Sequence, residues 1–150
     1  VPQLVKIEHW AAASRQGESS SGNVSLFYEG RTFRAFAGGN GPVDALLTAV
    51  DNALEQIIGG RPRLTDYQLR SVGQGEDAQG EATVKIAAPT TDADVPHIYT
   101  GHGLSTNVVE ASLRAYLSAV NKLIADHPIA AEAVAAARER RGSRTPVGAQ

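Results

Sequence analysis

The chain has 150 residues, no cysteine and a formal net charge of −2. The length suits one domain with one sizeable core, and the missing thiols exclude disulfides, thiolate catalysis and cysteine-ligated zinc. The near-neutral charge excludes a global basic field for nucleic acid or anionic lipid, and the apolar runs are too short to span a bilayer.

Leu4 to Trp10 alternates as a strand does, with no Gly or Pro inside. Ser14 to Gly22 is rich in Ser and Gly and is expected to be a loop. Val24 to Tyr28 and Thr32 to Ala37 read as strands joined at Glu29-Gly30, which makes a hairpin. The period then changes. Val43, Leu46, Leu47, Val50, Leu54, Ile57 and Ile58 recur at helical spacing, with Pro42 suited to the first helical position. Gly59-Gly60 and Pro62 end that helix.

The second half repeats the plan. Asp66 to Val72 and Glu81 to Ala87 read as strands, separated by a loop from Gly73 to Gly80. Pro89 to Pro96 is expected to be an acidic loop, and His97 to Thr100 a short strand. Gly101-His102-Gly103 then leads toward a helix with the stripe Val109, Leu113, Tyr116, Leu117, Val120 and Ile124. Asn107 and Glu110 have the spacing of a capping box. Gly39-Asn40-Gly41 is taken to correspond to Gly101-His102-Gly103. The expected architecture is α+β: two βββα units related by a pseudo-twofold, helices packed on antiparallel sheet, and a shared core. The repeats span about 3–60 and 63–126 within a domain of 1–127. In the remainder, 128–150, Ile129 to Arg141 is expected to form a C-terminal helix, with a disordered tail after Gly142.

Chemistry-bearing patterns are sparse. The four histidines, His9, His97, His102 and His127, include no helical i, i+4 pair and no His-x-His. His97 and His102 could hold a metal, but partly exposed histidines are the plainer reading. Glu76-Asp77 reads as loop solvation. An independent hydrolase built on His97, His102 and Asp77 has little support. Glycines ahead of a helix let backbone meet a ligand closely, and helix N-termini attract anions, including carboxylates. The same glycines are equally explained as turns from strand to helix. The N-terminal stretch Val1-Pro2-Gln3-Leu4 does not resemble a signal peptide, and a cytoplasmic setting is expected.

Three motifs together are more specific. Gly39-Asn40-Gly41-Pro42-Val43-Asp44-Ala45-Leu46 resembles a signature of the C-terminal regulatory domain of 2-isopropylmalate synthases. Asp66-Tyr67, Gly75-Glu76-Asp77-Ala78 and Gly80-Glu81-Ala82-Thr83-Val84 look like its middle motif. Gly101 to Ser112, followed by Ala115-Tyr116-Leu117 and Asn121, looks like its last. The resemblance covers roughly Leu4 to Ile124.

It implies a pseudo-symmetric βββα pair, a homodimer, and an end-product amino acid bound near the interface between two regulatory domains. L-leucine is the ligand in isopropylmalate synthases, and isoleucine in related citramalate synthases. No cofactor is implied on this domain. The implied partner is a catalytic acyltransferase domain or subunit, of which this chain has neither the TIM-barrel length nor the metal-binding His-x-His. Carried over by position, Gly39, Gly41, Val43 and Asp44 should meet the ligand's polar end. Asp66 and Tyr67 should flank it, and Leu64, Ser71, Ala78 and Leu104 are candidates for its side-chain pocket. For Leu64 and Leu104, ordinary core is the competing reading. His102 and Asn107 depart from the basic and acidic residues usual in the last motif, and the middle loop is a variant. A dimerisation module that binds nothing is the rival in a different functional class.

Overall fold

Both periodicities in the sequence produce the elements they announce. The computed structural model describes residues 4–14, 17–73, 75, 78–88 and 97–126. Strands β1 (Lys6–Ala13), β2 (Ser20–Tyr28) and β3 (Arg31–Gly39) precede helix α1 (Pro42–Ile58). Strands β4 (Arg63–Val72), β5 (Gln79–Ala87) and β6 (Ile98–Ser105) precede helix α2 (Val108–Asp126). Each triplet forms its own antiparallel sheet, in the orders β1-β2-β3 and β4-β5-β6. This is the α+β pair of βββα units expected from the sequence. The Glu76-Asp77 pair, the Pro89–Pro96 loop and the tail helix from Ile129 to Arg141 lie outside the described residues.

The two units match residue by residue. Leu26 pairs with Ile7 and Phe33, and Ile86 pairs with Leu64 and Tyr99. Each first strand carries a register shift at the same place, between Ile7 and His9 in β1 and between Leu64 and Asp66 in β4. Such a bulge breaks simple alternation. It puts Ile7 and Trp10 on the inner face of the first sheet, although straight alternation from Leu4 to Trp10 would separate them. In the second sheet it does the same for Leu64 and Tyr67, whose partners Ile86 and Val84 are fully buried.

Two loops expected from glycine content give up their last residues to strand. Ser20, Ser21 and Gly22 belong to β2, and Gln79 and Gly80 to β5. The largest change concerns Gly101-His102-Gly103, which is no turn. These residues pair with Val84, Thr83 and Ala82 inside β6, which runs on to Ser105 rather than ending at Thr100. By register, Phe33 corresponds to Tyr99 and Gly39 to Ser105. The counterpart of Gly39-Asn40-Gly41 is therefore Ser105-Thr106-Asn107.

The glycines of β6 have a packing reason. A Cβ on Gly101 would sit 2.5 Å from the Ala119 nitrogen and against the Ala115 carbonyl. A Cβ on Gly103 would sit 2.7 Å from the Ala115 nitrogen and 2.9 Å from the Arg114 Cβ. Helix α2 thus lies directly on the β6 backbone. In the first unit, Gly22 and Gly39 give α1 the same freedom, with virtual Cβ atoms 2.7 Å from the Leu46 Cα and the Ala45 nitrogen. The inner faces and both helices share one apolar core that includes Leu26, Leu46, Leu54, Ile57, Ile86, Leu113, Tyr116 and Leu123. The segment before β1 is tied across to α2. The Val5 N–H donates to Asn121 Oδ1 at 2.8 Å, and Asn121 Nδ2 donates to the Val5 carbonyl at 3.1 Å.

Overpacking against backbone, which cannot swing aside, sits at the upper end of such costs. Gly101→Ala is expected to lower the unfolding free energy by about 3 kcal/mol or more. Gly41→Ala, where a Cβ meets nothing within 4 Å, should cost under about 1 kcal/mol, the difference between Gly and Ala at an N-cap. Urea unfolding of the two variants beside the parent chain measures both.

Candidate functional site

The two helices begin differently. At α2, the Asn107 side chain accepts from the Val109 N–H at 2.9 Å and more loosely from the Glu110 N–H at 3.4 Å. The other half of the expected capping box runs through an intermediary. Ser105 accepts from the Asn107 N–H at 3.0 Å and donates to Glu110 at 2.8 Å. At α1 the N-cap is Gly41, in extended conformation, and no side chain caps the first turn. Asp44, the acidic residue of the first turn, reaches back and accepts from the Asn40 N–H at 3.0 Å. The first turn of α1 therefore keeps the positive end of its dipole and donors without a side-chain partner.

A groove of about 370 Å³ begins at this uncapped end. One wall is the α1 face carrying Val43, Asp44, Leu47, Thr48 and Asp51; the other is β4 through Leu64 and Tyr67, with Tyr116 of α2 completing the lining. Val43 and Leu47 lie on the apolar stripe of α1 yet are only half-buried, because the groove opens over them. Leu64 is 51% exposed, which removes the ordinary-core reading for it. Tyr67 is held by its hydroxyl, 2.6 Å from the Ser112 hydroxyl on α2. Thr48 donates to the Asp44 carbonyl at 2.7 Å, so its methyl is left for the groove.

The far end of the groove is acidic. The Tyr116 hydroxyl donates to Asp51 Oδ1, linking the two helices. Burial pushes the Asp51 carboxyl up to about 6, against the lowering effects of the Tyr116 hydrogen bond and of Arg61, while Glu55 adds to the rise. Burial, followed by the neighbouring Asp51 carboxylate, pushes the Tyr116 phenol well above its ordinary range. Arg61 is itself engaged by Glu55 at 2.8 Å and by Asn52. Asp51 is thus a half-buried carboxylate that accepts from Tyr116 and, among the described residues, makes no direct ion pair, Arg61 acting on it only from a distance.

The candidates from the sequence divide into separate places. Val43, Asp44, Leu64 and Tyr67 meet in the groove. Gly41 caps the helix that forms its wall, and Gly39 packs beneath that helix, where a Cβ would sit 2.5 Å from Asp44 Oδ2. Ser71 and Ala78 line a second cleft of about 320 Å³ at the start of α2, with Leu69, Gly80, Thr106 and Val108 among its walls. Asp66 and Leu104 are on the opposite face of the second sheet, paired with Lys85 and Glu81 respectively. Leu104 is 44% exposed, so it is not core either. Asp51, Thr48 and Tyr116 were not anticipated. Tyr116 reads from the sequence as core stripe, and Asp51 is not singled out there. The signal for Asp51 was its spacing with Asp44 and Leu47 along one helix face.

Among the described residues, no three His, Asp or Glu side chains cluster as metal ligands. His102 bonds to Thr83 at 3.1 Å, and His97 stacks on Tyr99 with its ring nitrogen 3.9 Å from Asp126. Among the same residues, no helix is long and apolar enough to cross a membrane.

Comparison with known proteins gives this geometry a family. The chain belongs to the LeuA allosteric (dimerisation) domain family, whose model matches residues 1–124. It is 36% identical over 126 residues to a 2-isopropylmalate synthase of Pelotomaculum thermopropionicum, covering 84% of this chain and 23% of that protein. It is 35% identical over 126 residues to the 2-isopropylmalate synthase of Ruminiclostridium cellulolyticum, with the same coverage. To that of Nitrosospira multiformis it is 36% identical over 118 residues, covering 79% of this chain and 21% of the relative. The chain therefore spans less than a quarter of the length of these relatives.

The raised Asp51 carboxyl predicts a signed effect on stability. Its folded value of about 6 lies above its ordinary 3.8. Its contribution is thus fully present below pH 3.8 and is lost as pH rises through 6. Asp51→Asn keeps an acceptor for Tyr116 and removes the charge. Relative to the parent chain, the variant should gain stability from pH 4 to pH 7.5, with most of the change between 4 and 6. Urea midpoints across that range test it.

Proposed function

We propose that this chain, over residues 1–127, is the feedback-regulatory domain of a 2-isopropylmalate synthase-like enzyme and binds L-leucine in the groove between α1 and β4. The observation that carries this reading is that an uncapped helix start and an aliphatic groove are contiguous in a member of an allosteric domain family. A free amino acid needs both. Its carboxylate accepts from the N–H groups of the first α1 turn, Val43 and Asp44, where the dipole favours an anion. Its ammonium stays at the same end, beside the Asp44 carboxylate. Its side chain lies over Leu47, Leu64 and the Tyr67 ring, an apolar lining with few polar groups.

In this reading the chain is not itself a catalyst, needs no cofactor, and works in the cytoplasm as a homodimer with an acyltransferase domain or subunit. A second copy completes the site. Ser71 and Ala78 sit in the other cleft of the same chain, and the apolar side chains Leu64, Leu69 and Val108 are exposed along these clefts. Exposure of that kind suits an interface. Feedback then requires that leucine bind one state of the dimer better than another.

Calorimetric titration of the purified chain with L-leucine, L-isoleucine and L-valine tests the reading, with melting curves beside it. Leucine at 100 times its Kd should add about 2.7 kcal/mol of stability. It should also shift the sedimentation profile toward dimer. Selectivity for isoleucine would move the ligand to the citramalate branch. No heat and no thermal shift with any of the three would leave a dimerisation module and reject the ligand assignment.

A further inference from the structure

Of the asparagines in the chain, only Asn40 precedes a glycine. Asn52 donates to the Phe36 carbonyl at 3.1 Å and accepts from Arg61. Asn121 is clamped on the Val5 backbone, and Asn107 accepts from the Val109 N–H at 2.9 Å. Asn23 lies inside the β2 ladder, ahead of the buried, β-branched Val24. Asn40 is exposed in the short link between β3 and α1, and its side chain has no hydrogen-bond partner among the described residues. The usual lock for such a side chain is the N–H two residues on, and that position is Pro42, which has none. The main chain around it is anchored on both sides. The Asn40 N–H donates to Asp44 at 3.0 Å, and the Gly41 carbonyl accepts from the Ala45 N–H at 2.9 Å. Between them the Gly41 N–H has no partner among the described residues, and a Cβ at Gly41 would meet nothing within 4 Å.

We propose that Asn40-Gly41 is a spontaneous modification site, at which deamidation turns residue 40 into aspartate or isoaspartate and weakens the hold of the α1 start on a ligand carboxylate. The modification rests on the chemistry of this pair alone. Its effect on a ligand rests on the reading of the groove as an amino-acid site. The Gly41 nitrogen loses its proton and attacks the Asn40 Cγ. A carbon–nitrogen bond forms there, the bond from Cγ to the side-chain nitrogen breaks, and that nitrogen leaves as ammonia with the proton given up by Gly41. The product is a five-membered cyclic imide. Water then adds to one of its two carbonyls. Addition at Cγ restores the ordinary chain as aspartate. Addition at the main-chain carbonyl leaves isoaspartate, in which the chain runs through the side chain and is longer by a methylene. The net exchange is ammonia for water, with no oxidant or reductant. Nucleophile and carbonyl sit on neighbouring residues, so ring closure needs only rotation about the Asn40 Cα–C and side-chain bonds. Glycine hinders the attack least, because no Cβ stands beside its nitrogen. The uncapped positive end of α1 lies next to the pair and favours the negative charge that develops during the attack. Either product adds a carboxylate close to Asp44, where the ligand's own carboxylate is proposed to bind.

The experiment holds the purified chain at pH 6 and at pH 8, with and without L-leucine. Residue 40 is followed by peptide mass mapping and by isoaspartate-specific methylation. The folded chain should convert at residue 40 while Asn23, Asn52, Asn107 and Asn121 stay intact. Conversion should be faster at pH 8, because the attacking nitrogen must first lose its proton. Gly41→Ala should slow it and Asn40→Gln should abolish it. Leucine should slow it too, because its carboxylate takes the helix donors beside the pair. Asn40→Asp carries one of the two products from the start, and it should bind leucine roughly fivefold more weakly than the parent chain, the scale of one charge at a helix end. If residue 40 stays intact in the folded chain while the urea-unfolded chain converts, the modification site is rejected and the amino-acid site stands. If residue 40 converts but Asn40→Asp binds leucine as tightly as the parent, the effect on the ligand is rejected. If the parent chain converts but binds no leucine, the reading of the groove fails and takes that effect with it, while the modification site stands. Conversion is read on the parent chain, so it decides the matter even if a variant folds poorly.

Discussion

Each helix can lie flat on its sheet only where the strand beneath offers no side chain, and the rest of the architecture follows from that requirement. Gly101 and Gly103 provide it for α2, and Gly22 and Gly39 provide it for α1. With α2 seated on β6, β4 at the far edge of its sheet is left partly uncovered. Leu64, Leu69 and Ser71, all on the inner face by register, remain exposed. That bare edge becomes one wall of the groove where α1 comes alongside it. A helix set further from the sheet, with larger residues at the glycine positions, would spread over β4 and fill the space a ligand would use. Close packing at one edge thus produces an opening at the other.

The two halves share a scaffold and differ in how they use it. Their bulges, inner-face layers and helix seats correspond, but Gly41 stands where the second unit has Asn107, and Gly39 where it has Ser105. In the second unit the Asn107 side chain takes the Val109 and, more loosely, the Glu110 N–H, so fewer donors are left for a ligand at the start of α2. In the first unit glycines leave the helix donors unmatched. A repeat that kept its cap in both copies would have two sound structural helices and no polar anchor beside the groove.

Much of this was legible in the sequence, because a 3.6-residue period in α1 and α2 and a two-residue period in β2 and β5 admit few other readings. The α+β plan followed from their order. What failed did so for identifiable reasons. Glycine serves both turns and close backbone contact, and composition does not say which, so Gly101-His102-Gly103 read as a turn when it is the seat of α2. The bulges at Ile7–His9 and Leu64–Asp66 insert one residue each and leave no compositional mark. At the site, Asp66 and Tyr67 were assigned together although neighbours on a strand face opposite ways. The structure separates them accordingly. Asp51 went unseen because a carboxylate on an amphipathic helix ordinarily faces solvent. Only the third dimension, with Tyr116 reaching across from α2, brings it into the groove.

The scattering of the remaining candidates is itself informative. Leu64 and Ser71 are both on the inner face of β4, yet seven residues of strand separate them by roughly 20 Å. One amino acid cannot touch both within a single chain. Yet both belong to the set of positions that the sequence resemblance ties to the ligand. These two facts agree if the groove of one copy is closed by the second cleft of another. In that arrangement Leu64 and Tyr67 come from one chain, and Ser71 and Ala78 come from its partner. Ligand binding and dimerisation then become the same event viewed from two sides. Feedback control follows in principle, because any change in how the two copies sit alters the fit of the ligand, and the ligand biases how they sit to the same extent.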